Sequence, residues 1–330
     1  MMQPARRRLS RRSLAFIASL SFLSSVNAHQ EGSQAPPEQP RDETSQEGRV
    51  QFRSTVEAVN LSVVVTDKKG RFVPDLTADD FVVFENRAPQ EIAFFTAEVT
   101  PVTLLLLLDA STSVRDSVDG IKEAASNFVG KLWEGDQAII ADFNERVRFS
   151  THFSDDVDRL VSTIQSLYPS GWTALYDSVL LSLDKVSEAE GRKALLVFTD
   201  GDDSRSIGFG SEASAKDVVE GAKFSEVTIY SIGFAGHRGT GSSGVNKGFL
   251  KKLSEETGGA SFFPKGIGDL NQSFEQIQDE LHSQYRLAYL PTKQDKNGEW
   301  RSIEVRVKDR EDLMVRTRQG YYALAERPSM

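Results

Sequence analysis

The chain has 330 residues, 39% hydrophobic and 26% charged, with 39 basic against 48 acidic side chains and a formal net charge of −9. That composition leaves room for more than one packed core, and its acidity argues against nucleic acid as a partner. The absence of cysteine excludes disulfide stapling and a lipid-anchored cysteine, so stability must rest on packed cores and on any bound metal.

Residues 1–28 read as a secretory signal peptide. Arg6, Arg7, Arg8, Arg11 and Arg12 precede an apolar stretch from Leu14 to Val26, and Val26-Asn27-Ala28 is a small-residue cleavage site. Cleavage is expected after Ala28, which sends the protein to the periplasm or the cell exterior. The stretch is too short and too rich in serine to cross about 30 Å of hydrocarbon, so no stable membrane span is expected once the signal is removed. Ser10-Arg11-Arg12-Ser13-Leu14 also resembles a twin-arginine signal. Removing residues 1–28 takes away five arginines and no acid, leaving 34 basic against 48 acidic side chains, a net charge of −14. Residues 29–50 are Gln, Glu, Pro and Ser with few apolar side chains, so burial cannot offset their ordering entropy and a disordered leader is expected.

A β-rich segment, 51–98, follows. Leu61, Val63 and Val65 alternate, Lys68-Lys69-Gly70 turns the chain, and Phe81 to Phe84 and Ile92 to Phe95 predict further strands, with Thr77 and Asp80 placed to cap a helical turn. The rhythm changes at Thr103. Apolar runs at Thr103 to Leu108, Ala138 to Phe143, Ala194 to Phe198 and Val227 to Ile232 are separated by helix-period segments, which predicts a doubly wound, mostly parallel α/β sheet over 100–283. Three apolar helix faces are legible: Val118, Ile121, Ala125, Phe128 and Leu132; Leu175, Val179, Leu183 and Val186; and Leu270, Phe274, Ile277 and Leu281. Val147 to Phe153 follows the second strand too closely for a crossover helix and is expected to be an antiparallel edge strand.

After His282 alternation returns at Tyr285, Leu287 and Tyr289, then an Asn297-Gly298 hairpin signal, then Ile303, Val305 and Val307. Neither flanking segment is long enough to bury two sheet faces. Residues 51–98 and 284–325 are therefore expected to form one small β-sandwich into which 100–283 is inserted, with 326–330 as a tail. Two independent β appendages packed on the central domain are the alternative.

Three segments carry chemistry. Leu108-Asp109-Ala110-Ser111-Thr112-Ser113 brings a carboxylate and two hydroxyls off the carboxyl edge of the first parallel strand, where open α/β sheets bind ligands. Gly171-Trp172-Thr173 puts a hydroxyl at the start of a helix, and Phe198-Thr199-Asp200-Gly201-Asp202 puts a carboxylate at the end of another buried strand. Asp109 and Asp200 are expected at a solvent-facing edge. Two acids and three hydroxyls are hard oxygen donors of the kind Mg²⁺ or Mn²⁺ prefers, and an open coordination position would accept an anionic oxygen from a partner. Singly, each of these motifs also reads as a helix cap.

The series Asp109-x-Ser111-x-Ser113, Thr173, Asp200 resembles the metal-ion-dependent adhesion site of the von Willebrand factor type A domain, in order and in secondary-structure position over residues 100 to 283. The flanks, Val-Thr-Asp-Lys-Lys-Gly-Arg and Gln-Gly-Tyr-Tyr-Ala, are similar to those of exported bacterial proteins of this type. The resemblance implies that Ser111 and Ser113 bind the metal directly, Thr173 and Asp200 directly or through water, and Asp109 mainly through water. It implies no metal-binding role for Asp177, Asp202 or Asp203; Asp177 reads as helix surface or as an acceptor supporting the ligands. It also implies that metal coordination is coupled to displacement of the last helix, Gly268 to Ser283.

Other readings are weaker on detail. Gly239-Thr240-Gly241-Ser242-Ser243-Gly244 matches a dinucleotide fingerprint, but several residues separate it from the strand before it and no acid ends the next strand at Ala260 to Phe263, so a surface loop is expected. His29, His152, His237 and His282 have no metal-ligand spacing, and no Ser-His-Asp or Cys-His arrangement exists. A Mg²⁺-dependent phosphatase with Asp109 as nucleophile would need an acid where Ser111 stands. The expectation is an exported, non-enzymatic module that holds Mg²⁺ or Mn²⁺ and binds an Asp or Glu carboxylate of a partner protein. A structural envelope scaffold with a non-functional site is the alternative, with the phosphatase-like enzyme behind it.

Overall fold

The structure, a computed structural model, describes residues 57–200, 202–234 and 245–324. The expected signal peptide, the leader, the Gly239 to Gly244 motif and the tail lie outside the described residues. In chain order the strands and helices are β1 (Val59–Thr66), β2 (Phe81–Glu85), β3 (Ala88–Gln90), β4 (Ile92–Thr96), β5 (Val102–Asp109), α1 (Val118–Val129), β6 (Gln137–Phe143), β7 (Val147–Phe149), α2 (Val157–Gln165) and α3 (Leu175–Ser187). They continue with β8 (Arg192–Thr199), α4 (Ala215–Phe224), β9 (Thr228–Gly233), α5 (Lys247–Thr257), β10 (Ser261–Phe262), α6 (Ile267–His282), β11 (Tyr285–Tyr289), β12 (Trp300–Val307), β13 (Met314–Arg316) and β14 (Gly320–Tyr322).

The central sheet has strand order β10-β9-β8-β5-β6-β7. Every pairing is parallel except β6 with β7, the expected antiparallel edge. Its middle strand shows why the sequence carries five consecutive leucines. Successive strand residues point to opposite faces, and both faces are covered. Leu104, Leu106 and Leu108 pack with Ile121 and Phe128 of α1, Leu160 of α2, and Leu270, Phe274, Ile277 and Leu281 of α6. Leu105 and Leu107 pack with Val179 and Leu183 of α3, Val218 of α4, and Leu250 and Leu253 of α5. Each buried leucine contributes about 2 kcal/mol of hydrophobic stabilisation. From β5 the chain crosses to β6 on one side, and from β8 to β9 on the other. The order therefore reverses between β5 and β8, which opens a crevice at their carboxyl ends.

The flanking segments interleave as expected. One four-stranded sheet runs β13-β1-β11-β4 and the other β14-β12-β2-β3, so each mixes strands from before and after the insertion. Leu61, Val63, Val65, Tyr285, Leu287 and Tyr289 of the first face Phe81, Val83, Ile303, Val305 and Val307 of the second across one core. The α/β unit is thus inserted in a β-sandwich. Thr77 and Asp80 form the expected capping box on a single 3₁₀ turn, Ala78–Asp80.

The hairpin expected at Asn297-Gly298 is corrected by the topology. β11 pairs with β1 and β4, whereas β12 pairs with β2 and β14. The chain at Asn297-Gly298 therefore crosses between sheets, and the Gly298 N–H bonds to Ala323 O rather than across a β11–β12 ladder. Pairing β11 with β12 would put their apolar faces side by side in one sheet. Separating them lets the two faces bury each other.

One guanidinium holds both linkers of the insertion. Arg192 donates to Thr100 O before β5, to Leu281 O in the last turn of α6 and to Gln284 Oε1 after it, each at 2.7 Å. A second tie, Arg316 to Glu280 at 2.6 Å, joins β13 to α6.

Candidate functional site

Three segments meet at the crevice between β5 and β8, and backbone hydrogen bonds fix their relative positions. After β5 the chain enters a 3₁₀ turn, Thr112–Ser117, with Ser111 at its N-cap. The Ala110 N–H bonds to Phe143 O at the end of β6, and the Thr112 N–H bonds to Gly171 O at 3.0 Å. Ser170 N–H returns a bond to Ala110 O at 2.8 Å, so the Gly171-Trp172-Thr173 segment lies against the Ser111 turn. That segment is tied to the loop after β8 by a reciprocal pair: Thr173 N–H donates to Ser204 Oγ, and Ser204 N–H donates to Thr173 O.

Within this frame the side-chain oxygens converge. Ser111 Oγ and Ser113 Oγ lie 2.7 Å apart, and Ser113 Oγ donates to Asp200 Oδ1 at 2.8 Å. Asp109 lies beneath them, accepting from Ser111 N–H and from Thr199 Oγ1, each at 2.8 Å. Thr173 is buried beside the turn, positioned through its neighbours' backbone bonds. The opening to solvent is through Ser113 and Asp200.

One expectation about the site is overturned. Asp109 is not solvent-facing but completely buried, because the Ser111 turn folds back over the end of β5. Burial pushes its carboxyl pKa up from the ordinary value, and the hydrogen bonds from Ser111 and Thr199 only partly oppose this. A cation held above it would relieve the same cost.

What several supporting residues hold was not visible in the sequence. Asp203, buried, accepts four hydrogen bonds: from Tyr176 N–H, Arg205 N–H, Ser211 N–H and Ser211 Oγ. It anchors the loop after β8 to the start of α3. Its place as cap of the 3₁₀ turn Ser204–Ile207 was readable from Asp203-Ser204, but its contact with Tyr176 was not. Glu145 accepts from Trp172 N–H at 3.0 Å. Gly171 sits at φ 74°, and a Cβ there would come within 2.7 Å of the Glu145 carboxylate, so the segment before Thr173 needs glycine for both conformation and space. Asp177 is an acceptor, taking the Glu212 and Ala213 N–H groups.

The donor set suits a small, hard divalent ion: two carboxylates and three hydroxyls, with no nitrogen or sulfur. Among the described residues no three His, Asp or Glu side chains form an alternative metal cage. Of the histidines, His282 is spoken for by Asp136 at 2.9 Å.

A mostly parallel sheet with helices on both faces, a crevice at its strand-order reversal, and an oxygen-rich turn at that crevice define a doubly wound α/β domain. The family model for the von Willebrand factor type A domain matches residues 103–280, over half of the chain, and the chain belongs to that family. No curated protein matches the chain. Among solved structures it is similar to the conserved hypothetical protein BatB from Bacteroides thetaiotaomicron, at 17% identity over 54% of this chain and 98% of that one, with a TM-score of 0.43. It is also similar to the vWF domain of the type V pili tip protein Mfa5 from Porphyromonas gingivalis, at 12% identity over 55% and 95%, with a TM-score of 0.43. A third, the von Willebrand factor type A protein from Catenulispora acidiphila, shares 13% identity over 83% and 75%, with a TM-score of 0.46.

Proposed function

We propose that this protein is an exported, non-enzymatic binding module that holds Mg²⁺ or Mn²⁺ through Asp109, Ser111, Ser113, Thr173 and Asp200 and thereby captures an Asp or Glu carboxylate of a partner protein. The observation that carries the reading is the run of oxygens from Ser111 Oγ through Ser113 Oγ to Asp200 Oδ1, in steps of 2.7 and 2.8 Å, contributed by two different strand ends above the buried Asp109. Ser111 and Ser113 are two positions apart but Asp200 lies 87 positions beyond Ser113, so their convergence is a property of the crevice and not of a single helix cap.

The bound ion supplies electrostatic attraction for an anionic oxygen at an open position. The chain's own residues do the rest. The serine hydroxyls present lone pairs outward. Asp109, held by Ser111 N–H and Thr199 Oγ1, supplies negative charge from below without reaching solvent. Asp200 stands against Ser113, and the reciprocal bonds between Thr173 and Ser204 keep the two loops together. Ser111 stands where a phosphatase would place its acid, which supports the non-enzymatic reading. The signal sequence supports export, and among the described residues no helix is long and apolar enough to cross a membrane.

Titration calorimetry with Mg²⁺ and Mn²⁺ tests the proposal. One-to-one binding that is lost in Asp200→Ala is expected; equal binding by that variant and the parent would remove the site as assigned.

A further inference from the structure

Beside these oxygens the surface carries large aromatic side chains that the fold presents outward. Trp172 is 45% exposed and Phe209 56%, and their rings stack with centroids 5.0 Å apart at an interplanar angle of 11°. Exposed pairs of this size are costly in water unless a partner covers them, and aromatic side chains lose little rotamer entropy on binding. The backbone beneath them is built to hold that pose. Trp172 N–H is fixed by Glu145. Phe209 N–H bonds to Ser204 O, and the loop that carries it is anchored by the four bonds to buried Asp203. Gly210 packs so closely on this anchor that a Cβ would come within 2.1 Å of Arg205 N and Asp203 Oδ1. The aromatic pair is thus exposed on a rigid platform.

Its location decides what it meets. Trp172 precedes Thr173 by one peptide, about 3.8 Å between Cα atoms. A partner residue whose carboxylate reaches the Ser113, Thr173 and Asp200 oxygens therefore brings the side chain one or two positions away onto the Trp172–Phe209 stack.

We infer that the partner segment carries an Asp or Glu one or two residues from an aromatic or branched aliphatic side chain, and that Trp172 and Phe209 read this second residue. The inference rests on the proposed metal-dependent capture and adds the specificity to it. Trp172 and Phe209 hold no metal, so they are specificity-determining residues only.

The test uses the exported full chain and three immobilised hexapeptides, Gly-Gly-Asp-Phe-Gly-Gly and its variants with Ser or Arg in place of Phe, with Mg²⁺ or with EDTA. The Phe peptide is expected to bind about thirtyfold better than the Ser peptide, as for loss of one interface anchor, and only with Mg²⁺. Phe209→Ala and Trp172→Ala are each expected to abolish that preference while leaving calorimetric Mg²⁺ affinity unchanged. Equal binding of the three peptides, a preference for Arg, or a preference that survives both substitutions overturns the inference and leaves the metal site standing. Absence of Mg²⁺-dependent binding by every peptide overturns it together with the carboxylate-capture reading.

Discussion

His282 Nε2 lies 2.9 Å from Asp136 Oδ2, joining the last turn of α6 to the turn that precedes β6, with the Trp133 ring stacked on the imidazole at 4.1 Å. Asp136 also accepts from Val102 N–H and Trp133 N–H, so one buried carboxylate ties together the start of β5, the end of α6 and the turn between. Burial pushes its pKa up, but the hydrogen bonds from His282, Val102 and Trp133 together outweigh burial and hold it below the ordinary value of 3.8. A carboxylate depressed in the folded state stabilises the fold above its unfolded pKa, and that contribution is lost as pH falls through the folded value. Asp136→Asn is therefore expected to cost about 2 kcal/mol at neutral pH. The difference from the parent should begin to shrink below about pH 4, where the unfolded state takes up its proton first, and should close as pH falls through the lower folded value. Urea unfolding at pH 7 and pH 3 measures it, and a gap that does not narrow in acid would count against the assignment.

The two site carboxylates should separate in their effects. Asp109 is buried and accepts from Ser111 N–H and Thr199 Oγ1, so Asp109→Ala removes two buried hydrogen bonds and opens a void. A loss of about 2 to 4 kcal/mol in stability is expected alongside lost metal binding. Asp200, at the opening, should lose metal binding on substitution to Ala with a stability change of about 1 kcal/mol or less. Thermal melts run with Mg²⁺ calorimetry check both. Equal destabilisation would contradict the burial difference.

Gly210→Ala should displace the platform beneath Phe209, because its Cβ would meet Arg205 N and Asp203 Oδ1 at 2.1 Å. The backbone must move, at a cost of about 1 to 3 kcal/mol. The near-ultraviolet circular dichroism of the stacked Trp172–Phe209 pair is expected to weaken, with Mg²⁺ affinity retained. An unchanged aromatic spectrum would show that the loop tolerates the methyl group without moving its rings.

A fragment of residues 100–283 is proposed to fold alone and bind Mg²⁺, since both cores of the central sheet are contributed from within it. Residues 51–98 alone should not fold cooperatively, because among the described strands β1 pairs with β11 and β13, β4 pairs with β11, and β2 would keep only β3. Losing the Arg316–Glu280 pair should leave the fragment less thermostable than the full chain. A cooperative unfolding transition from residues 51–98 alone would refute the shared sandwich.

Periodicity made most of the fold legible. The leucine run of β5, the stripe of α6 and the alternations at Leu61 and Tyr285 each encode how many faces are buried, which is a local property of the chain. The five proposed donors were legible as types and spacings in three short motifs. Less legible was what surrounds them. The burial of Asp109 depends on how the Ser111 turn closes over it, and the anchoring of the loop after β8 depends on the bond from Tyr176 N–H to Asp203, 27 positions away. Asn297-Gly298 misled because the dipeptide specifies a turn but not the sheet to which the next strand belongs.

The sequence by itself determined the alternation of strands and helices, the interruption of one β domain by another unit, and the oxygen chemistry at the ends of β5 and β8. These follow from side-chain type and period, which act over a few residues. Only the tertiary structure decided that Ser113 meets Asp200, that Arg192 clasps both linkers, and that Trp172 stacks on Phe209 in the open. Each of those contacts joins segments 37 or more residues apart, and which such segments meet is set by strand order and loop closure, where many arrangements share the same local pattern and packing of the whole core selects one.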